Sequence, residues 1–173
     1  MRLLAISGSL RRASSNTAAL EALARLAPEG VKVLIYRDLA KLPPFNPDDD
    51  GEDRPKPEPV ETLRTLVGAS DALVIAAREY AHGVPGALKN ALDWLVASET
   101  FAGKPVMLIN ASPRAFHAQA SLCEILATMA ARLMPRPSPR YRLRESRFLP
   151  TRCWRTRRAY ESSRRPLRRS SGS

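Results

Sequence analysis

The first polar loop of the chain gathers side chains that suit an anionic ligand. Residues 8–17 contain several hydroxyl groups, one amide and the guanidinium groups of Arg11 and Arg12, and apolar residues at helical spacing follow directly. Backbone N–H groups at the start of a helix, together with the positive end of its dipole, bind phosphate. Ser and Asn at this position also cap helices. Residue types alone leave a phosphate site and a well-capped turn as equal alternatives.

The same loop lacks two common nucleotide-binding patterns. It has neither the Gly-rich spacing with Lys of a Walker loop nor the G-x-G-x-x-G fingerprint of dinucleotide-binding proteins. This argues against a nucleoside triphosphate site and against a Rossmann-type site.

Two further polar loops also follow apolar runs. Residues 78–86 come after the unbroken apolar run 72–77, and residues 110–113 come after the run 106–109. In an open parallel sheet, ligands bind beyond the carboxyl ends of the strands, at the point where the strand order reverses. We therefore expect the chemistry of this chain at these three loops.

The elements that carry the loops alternate regularly. Apolar runs at 2–6, 31–36, 72–77 and 106–109 predict strands, and amphipathic segments between and after them predict four helices. A run without alternation, as at 72–77, fits a strand covered on both faces. The pattern predicts an α/β fold with a doubly wound parallel sheet in a three-layer α/β/α arrangement. The last predicted helix is defined by Leu122, Ile125, Leu126, Met129, Ala130 and Leu133.

The regular pattern stops after Met134. Residues 135–173 contain 13 Arg, no Lys and two acidic residues, so the whole formal net charge of +11 arises there. Few apolar residues remain to offset the conformational entropy of folding, which predicts a disordered tail. We expect the fifth strand and last helix of the sheet to be missing or degraded, with these residues as the only candidates: Tyr141, Leu143, Phe148, Leu149 and Trp154.

Two hypotheses account for this Arg-rich tail. In the first, it attracts nucleic acid or other polyanions without sequence preference, and the folded part is a carrier. In the second, the abrupt Arg/Pro/Ser bias reflects a frameshift in a GC-rich gene near residues 134–140. The chain would then be an inactive, truncated relative of an intact protein.

Two long motifs and the distance between them identify a protein family more specifically than any single loop does. The first comprises residues 8–11 with Ser14 and Asn16. The second comprises Glu79 and Tyr80 with residues 84–94, and residues 101–106 follow it. Together they resemble the NADPH-dependent FMN reductase family of flavodoxin-like proteins, over about residues 1–134. That family usually has Pro-Glu-Tyr-Asn where this chain has Arg-Glu-Tyr-Ala at 78–81.

The resemblance implies a flavodoxin-like fold with strand order 2-1-3-4-5, noncovalent FMN, NADPH or NADH as electron donor, and a homodimer or homotetramer. The residues that it assigns to the FMN phosphate are Ser9, Arg11, Ser14, Asn16 and Thr17. The loop that it places against the ribityl chain and the ring comprises Glu79, Tyr80, Ala81, His82 and Gly83. From the third loop it adds Ser112 and Pro113.

The resemblance also implies a reaction. An FMN-dependent NAD(P)H oxidoreductase transfers hydride to bound FMN and then passes electrons to a small-molecule acceptor such as a quinone, an azo compound, a metal oxyanion or free flavin. The flavin carries this chemistry, so no catalytic side chain is required. We therefore expect His82 at the loop surface or the ring edge rather than acting as a general base.

Composition and residue spacing argue against a membrane protein, a secreted protein and a metal-binding protein. No stretch approaches the roughly 20 apolar residues of a membrane helix, and the first apolar run is too short for a signal peptide, so we expect a cytoplasmic protein without membrane contact. Cys123 and Cys153 lack zinc-ligand spacing. Asp48, Asp49 and Asp50 are consecutive rather than spaced as in a calcium loop, which predicts a solvated acidic turn. The sequence pattern predicts no metal site.

Overall fold

Five parallel strands form one sheet, in the order β2-β1-β3-β4-β5, in the computed structural model, which describes residues 1–51, 53–110 and 116–135. The strands are β1 (Arg2–Ser7), β2 (Lys32–Tyr36), β3 (Ala72–Ala76), β4 (Pro105–Ile109) and β5 (Arg132–Leu133). Within these ranges the α-helices are α1 (Ser15–Arg25), α2 (Glu58–Ala69), α3 (Gly86–Val96) and α4 (Phe116–Thr128). Short 3-10 turns at Leu39–Lys41 and Pro47–Asp49 lie between β2 and α2.

The strand order reverses beside β1. β1 pairs with β2 on one edge and with β3 on the other, so that Leu4 lies opposite both Leu34 and Leu73. The connection from β1 through α1 therefore leads to β2 on one side of β1, and the connection from β2 through α2 leads to β3 on its other side. The carboxyl ends of β1 and β3 become neighbours at this point, where open α/β sheets bind ligands.

Helices cover both faces of the sheet. On one face α2, α3 and α4 bury a large apolar cluster that includes Leu4, Ile6 and Ile75. On the other face Leu20 of α1 packs with Ala5, Val74 and Ala76, all at most 2% exposed. Neighbouring strand residues such as Val74 and Ile75 are thus buried on opposite faces, as an unbroken apolar run predicts. The predicted three-layer α/β fold is confirmed.

The end of the described sheet differs from the prediction. α4 ends at Thr128 rather than extending to Leu133, because Ala130 adopts a left-handed backbone (φ 57°) and the Ala131 N–H bonds back to the Leu126 carbonyl at 2.9 Å. Leu133 then enters β5, where it lies opposite Val106. The fifth strand is therefore present over two residues, before the segment in which we expected its remnants. Apolar spacing alone could not separate a last helical turn from the start of a buried strand.

The long segment between β2 and α2 is fixed to α3. The Pro43 carbonyl accepts hydrogen bonds from Asn90 Nδ2 at 2.9 Å and from Trp94 Nε1 at 2.8 Å. The Asn90 side-chain oxygen accepts from the Phe45 N–H at 2.7 Å, and the Phe45 ring meets the fully buried Trp94 ring edge-on. Asn90 and Trp94 lie four residues apart and so share one helix face. Both side chains therefore tether this loop to α3.

The acidic turn is only partly solvated. Asp49 remains half exposed, whereas the Asp50 side chain is 6% exposed and pairs with Arg64 of α2. The prediction of a solvated turn is therefore wrong for Asp50. The hypotheses on the Arg-rich tail, including disorder, polyanion binding and a frameshift, concern residues that lie outside the described part of the chain, apart from Pro135.

Candidate active site

The loop after β1 folds over the start of α1. The Gly8 N–H continues the β1–β3 ladder by donating to the Ala76 carbonyl at 2.8 Å. A Cβ atom on Gly8 would lie 3.0 Å from Leu88 Cδ2, so a larger residue would push the Leu88 side chain back by a few tenths of an ångström and glycine favours this close approach to α3. The loop therefore begins at the strand-order reversal, between β3 and α3.

Hydroxyl groups line this loop. Ser14 caps α1, its side chain accepting from the Thr17 N–H at 3.4 Å. The Thr17 hydroxyl lies 3.0 Å from that of Ser7, and the Ser9 hydroxyl accepts from the Arg11 N–H at 3.4 Å. Of the two alternatives left open by the sequence, the cap is observed. Because the hydrogen bonds to the Ser9 and Ser14 hydroxyl groups are long, at 3.4 Å, both groups can also form a hydrogen bond with a ligand.

Asn16 is the least explained polar group of the loop. It is fully buried, and neither its side-chain oxygen nor its side-chain nitrogen has a hydrogen-bond partner within the described residues. A buried polar group without a partner costs about 1–3 kcal/mol. Such groups in a folded protein require an explanation, and a bound ligand is one. The donor set of this loop, with Arg11 and Arg12 beside it, suits an anion.

The loop after β3 contains a tight turn with an unusual backbone. The N–H of Gly83 donates to the Tyr80 carbonyl at 2.8 Å, and the Tyr80 N–H donates to the Gly83 carbonyl at 3.2 Å. Between them Ala81 (φ 47°) and His82 (φ 60°) are both left-handed, as in a type I′ turn. Such a turn favours Asn and Gly at these positions. Strained residues of this kind occur preferentially at binding sites.

Glu79 joins this loop to the start of α4. Its side chain is 13% exposed, with one carboxylate oxygen 2.9 Å from Nδ1 of His82 and the other accepting from the Ala118 N–H at 3.0 Å. Burial raises the pKa of Glu79, but hydrogen bonds from Ala118, His82 and the His117 backbone outweigh it and leave the pKa below its usual value. A charged carboxylate therefore fixes the loop after β3 to the start of α4.

The third loop is only partly described. Asn110 at its start is half buried, whereas Ser112 and Pro113 lie outside the described residues. The structure does bring the first two loops to the same edge of the sheet. The contact from Glu79 to α4 was not predicted, because the sequence contains no signal that links residues so far apart. The tethering of Pro43 by Asn90 was also missed, although the four-residue spacing to Trp94 was a usable clue.

Comparison with known proteins decides the family. The family model for NADPH-dependent FMN reductase matches residues 1–140. The chain belongs to that family.

Several known proteins are similar to this chain. An NAD(P)H-dependent FMN reductase of Pseudomonas aeruginosa is 37% identical over 118 residues, which is 67% of this chain and 62% of the relative. A quinone reductase of Escherichia coli K12 is 32% identical over 142 residues, covering 79% and 75% of the two chains. The structure of the flavoenzyme FerB from Paracoccus denitrificans, an NAD(P)H:(acceptor) oxidoreductase, superposes with a TM-score of 0.70 at 30% identity, over 79% of this chain and 76% of FerB.

Membership of the FMN reductase family confirms the flavodoxin-like fold, with the expected strand order. It also confirms the expected class, an oxidoreductase whose cofactors are FMN and NAD(P)H. Among the described helices, none is long and apolar enough to cross a membrane.

Proposed function

We propose that this chain binds FMN across the carboxyl ends of β1, β3 and β4 and transfers reducing equivalents from NAD(P)H to a quinone. The observation that carries the assignment is Asn16, whose buried amide has no partner among the described residues of a hydroxyl-lined loop at the strand-order reversal. A ligand phosphate beside that loop would explain why the amide is retained. We place the FMN-binding domain at residues 1–134.

The phosphate end of FMN would be held by the loop after β1. This loop offers a dianion neutral hydroxyl and amide donors, the N–H groups at the start of α1 and one flexible guanidinium group. It contains no acidic side chain that would repel the dianion. The residues that we assign to this role are Ser9, Arg11, Ser14, Asn16 and Thr17. Arg11 is exposed, so it can close over the phosphate from the solvent side.

The ring end of FMN would lie against the other two loops. When bound, FMN supplies the hydride acceptance and electron transfer, so no side chain of the protein acts as a nucleophile. The chain contributes a rigid turn, fixed to α4 through Glu79, and the exposed ring of Tyr80, which is 55% accessible. The residues that we assign to this role are Glu79, Tyr80, Ala81, His82, Gly83, Ser112 and Pro113.

We propose a quinone as the electron acceptor rather than an azo compound, a metal oxyanion or free flavin. The relative named quinone reductase supports this choice, since it aligns over 79% of this chain. A cytoplasmic location, expected from the composition, and a homodimer or homotetramer, implied by the family resemblance, complete the proposal. Light scattering of the purified chain measures its assembly directly.

The experiment that tests the cofactor site is a fluorescence titration of FMN with the full-length chain, run in parallel with riboflavin, which lacks the phosphate. We expect FMN fluorescence to change until one flavin is bound per chain, and riboflavin to bind at least tenfold more weakly. Equal affinity for the two flavins would refute the phosphate site. Absence of binding by both would refute the FMN site as a whole.

The experiment that tests the acceptor follows NADPH and NADH oxidation by the FMN-loaded chain. 1,4-Benzoquinone, an azo dye, chromate and free FMN serve as alternative acceptors. We expect kcat/KM to be largest for the quinone. A larger value for any other acceptor would overturn the quinone assignment while leaving the flavin site intact.

A further inference from the structure

Both histidines of this chain lie beside one carboxylate. His82 and His117 are the only two histidines in the 173 residues, and their ring centroids are 4.6 Å apart although one lies in the loop after β3 and the other in α4. Glu79 Oε1 lies 2.9 Å from His82 Nδ1. One ligand atom from each of the three residues lies within 4.8 Å of the other two.

We propose that Glu79, His82 and His117 form a binding site for a divalent transition-metal ion of the zinc class. Two imidazole nitrogens and one carboxylate oxygen are a donor set that zinc takes in proteins, and imidazole favours zinc, copper and nickel over magnesium or calcium. Neither the family nor the flavin chemistry requires such an ion. The site therefore adds a function to the loop after β3.

Glu79 is already oriented as a ligand. The Ala118 N–H holds one carboxylate oxygen at 3.0 Å, which leaves the other directed at His82. Metal ligands in proteins are usually fixed in this way by a second hydrogen bond. Glu79 is also mostly buried, with its side chain 13% exposed, so its position is determined by the fold rather than by solvent.

His82 supplies the movement that the site needs. Three ligands on a tetrahedral zinc ion lie about 3.3 Å apart, since each bond is about 2.0–2.1 Å long. The Glu79 and His82 atoms are already 2.9 Å apart, so the movement that the site needs is a closer approach to His117, with all three ligand atoms now within 4.8 Å of one another. The His82 side chain is 79% exposed and sits on a two-residue turn, so its ring can rotate toward His117 without repacking the core.

The proposed ion would clamp the loop after β3 to the start of α4. Three protein ligands leave a fourth coordination position for water or another small ligand. The site shares Glu79 and His82 with the proposed flavin-binding loop, but its existence does not depend on FMN. Metal binding is therefore measured without flavin, and FMN binding is measured in the presence of a chelator, so that failure of one proposal leaves the other testable.

The test is a calorimetric titration of ZnCl₂ into the metal-free, flavin-free full-length chain, with proton NMR of the two histidine rings. We expect one ion per chain, and both sets of ring signals should change together and stop changing at one equivalent. His82→Ala and His117→Ala should each weaken zinc binding at least tenfold. Absence of zinc binding, or binding that either substitution leaves unchanged, would overturn the proposal.

Matched variants separate this site from other zinc ligands in the chain. The double substitution Cys123→Ser and Cys153→Ser removes both thiols, and Asp48→Asn with Asp49→Asn removes two carboxylates of the acidic turn. We expect both variants to bind zinc as the parent chain does. Loss of binding in either would assign the ion elsewhere. Because His82 is exposed, His82→Ala should keep the circular dichroism of the parent and so reports on binding rather than on folding.

Discussion

The Nη2 atom of Arg64 in α2 donates to both carboxylate oxygens of Asp50, at 2.8 Å and 2.9 Å. The same guanidinium donates from Nε to the Trp94 carbonyl at 2.9 Å. The Arg64 and Asp50 side chains are only 19% and 6% exposed. One cation therefore joins the acidic turn, α2 and the end of α3.

Removal of one partner from this pair should destabilise the protein strongly. Asp50→Ala leaves the Arg64 charge partly buried without its carboxylate, and we expect a loss of about 3 kcal/mol in the free energy of unfolding. The neighbouring Asp49→Ala should change it by less than about 0.5 kcal/mol, because Asp49 is half exposed and 3.8 Å from Arg54. Urea unfolding of the two variants measures both values, and equal effects would contradict the role of Asp50.

Ser14→Asp should separate helix capping from phosphate binding. Asp caps helices as well as Ser does, so the Thr17 N–H keeps an acceptor and thermal unfolding should be unchanged. The added carboxylate would repel the phosphate of FMN, and we expect FMN affinity to fall at least tenfold. Riboflavin affinity, measured by the same fluorescence titration, should stay constant. Unchanged FMN affinity would leave Ser14 as a cap alone.

Asn16→Leu should stabilise the ligand-free protein and weaken FMN binding. Leucine has the branched four-atom skeleton of asparagine, with bulkier methyl groups, and removes a buried amide that lacks a partner within the described residues, which should raise the free energy of unfolding by about 1 kcal/mol. The same change removes a proposed phosphate donor. Differential scanning calorimetry and FMN titration test the two effects separately. Retained FMN affinity with higher stability would remove Asn16 from the site.

Ala81→Asn should relieve backbone strain in the turn after β3. Asparagine tolerates the left-handed conformation better than alanine, and we expect a gain of about 0.5–1 kcal/mol in the free energy of unfolding together with tighter FMN binding. Ala130→Asn is the matched control, because Ala130 is also left-handed (φ 57°) but ends α4. It should raise stability without changing FMN affinity. A change in FMN affinity in both variants would exclude a local effect of the turn.

Tyr36→Phe should remove an alkaline loss of stability. Burial, with a contribution from Asp38, raises the pKa of the Tyr36 hydroxyl from 10.0 to about 12 in the folded protein. The folded state therefore holds this proton more tightly than the unfolded state, so the stabilisation is complete below pH 10 and is lost as the pH rises through 12. Denaturant unfolding between pH 9 and 12 should show a smaller decline for Tyr36→Phe than for the parent. Identical slopes would refute the assignment.

Apolar pattern predicted the fold well where both faces of an element are buried. Val74 and Ile75 pack on opposite faces of β3, so an unbroken run identified the strand. Leu133 was assigned to a helix because its spacing from Met129 and Ala130 fits a helical turn as well as a strand start. The left-handed backbone at Ala130, which ends α4, arises in a residue with no intrinsic preference for it.

Polar contacts were less predictable because they depend on tertiary distances. Three consecutive aspartates look alike in sequence, yet only the position of Arg64 determines that Asp50 is the buried one. The meeting of Glu79, His82 and His117 depends in the same way on how α4 packs beside the loop after β3. The loop that we propose for the FMN phosphate is easier to predict, because its residues are contiguous and lie at a helix start.

The central position of β1 has a consequence for synthesis on the ribosome. β1 emerges before both of its partner strands; β2 can pair with one edge soon afterwards, but the other edge stays unpaired until residues 72–76 are made. Until then the growing chain displays a row of unpaired backbone N–H and C=O groups along an apolar strand. Such edges recruit other chains. We therefore expect the nascent protein to be most prone to aggregation during this interval.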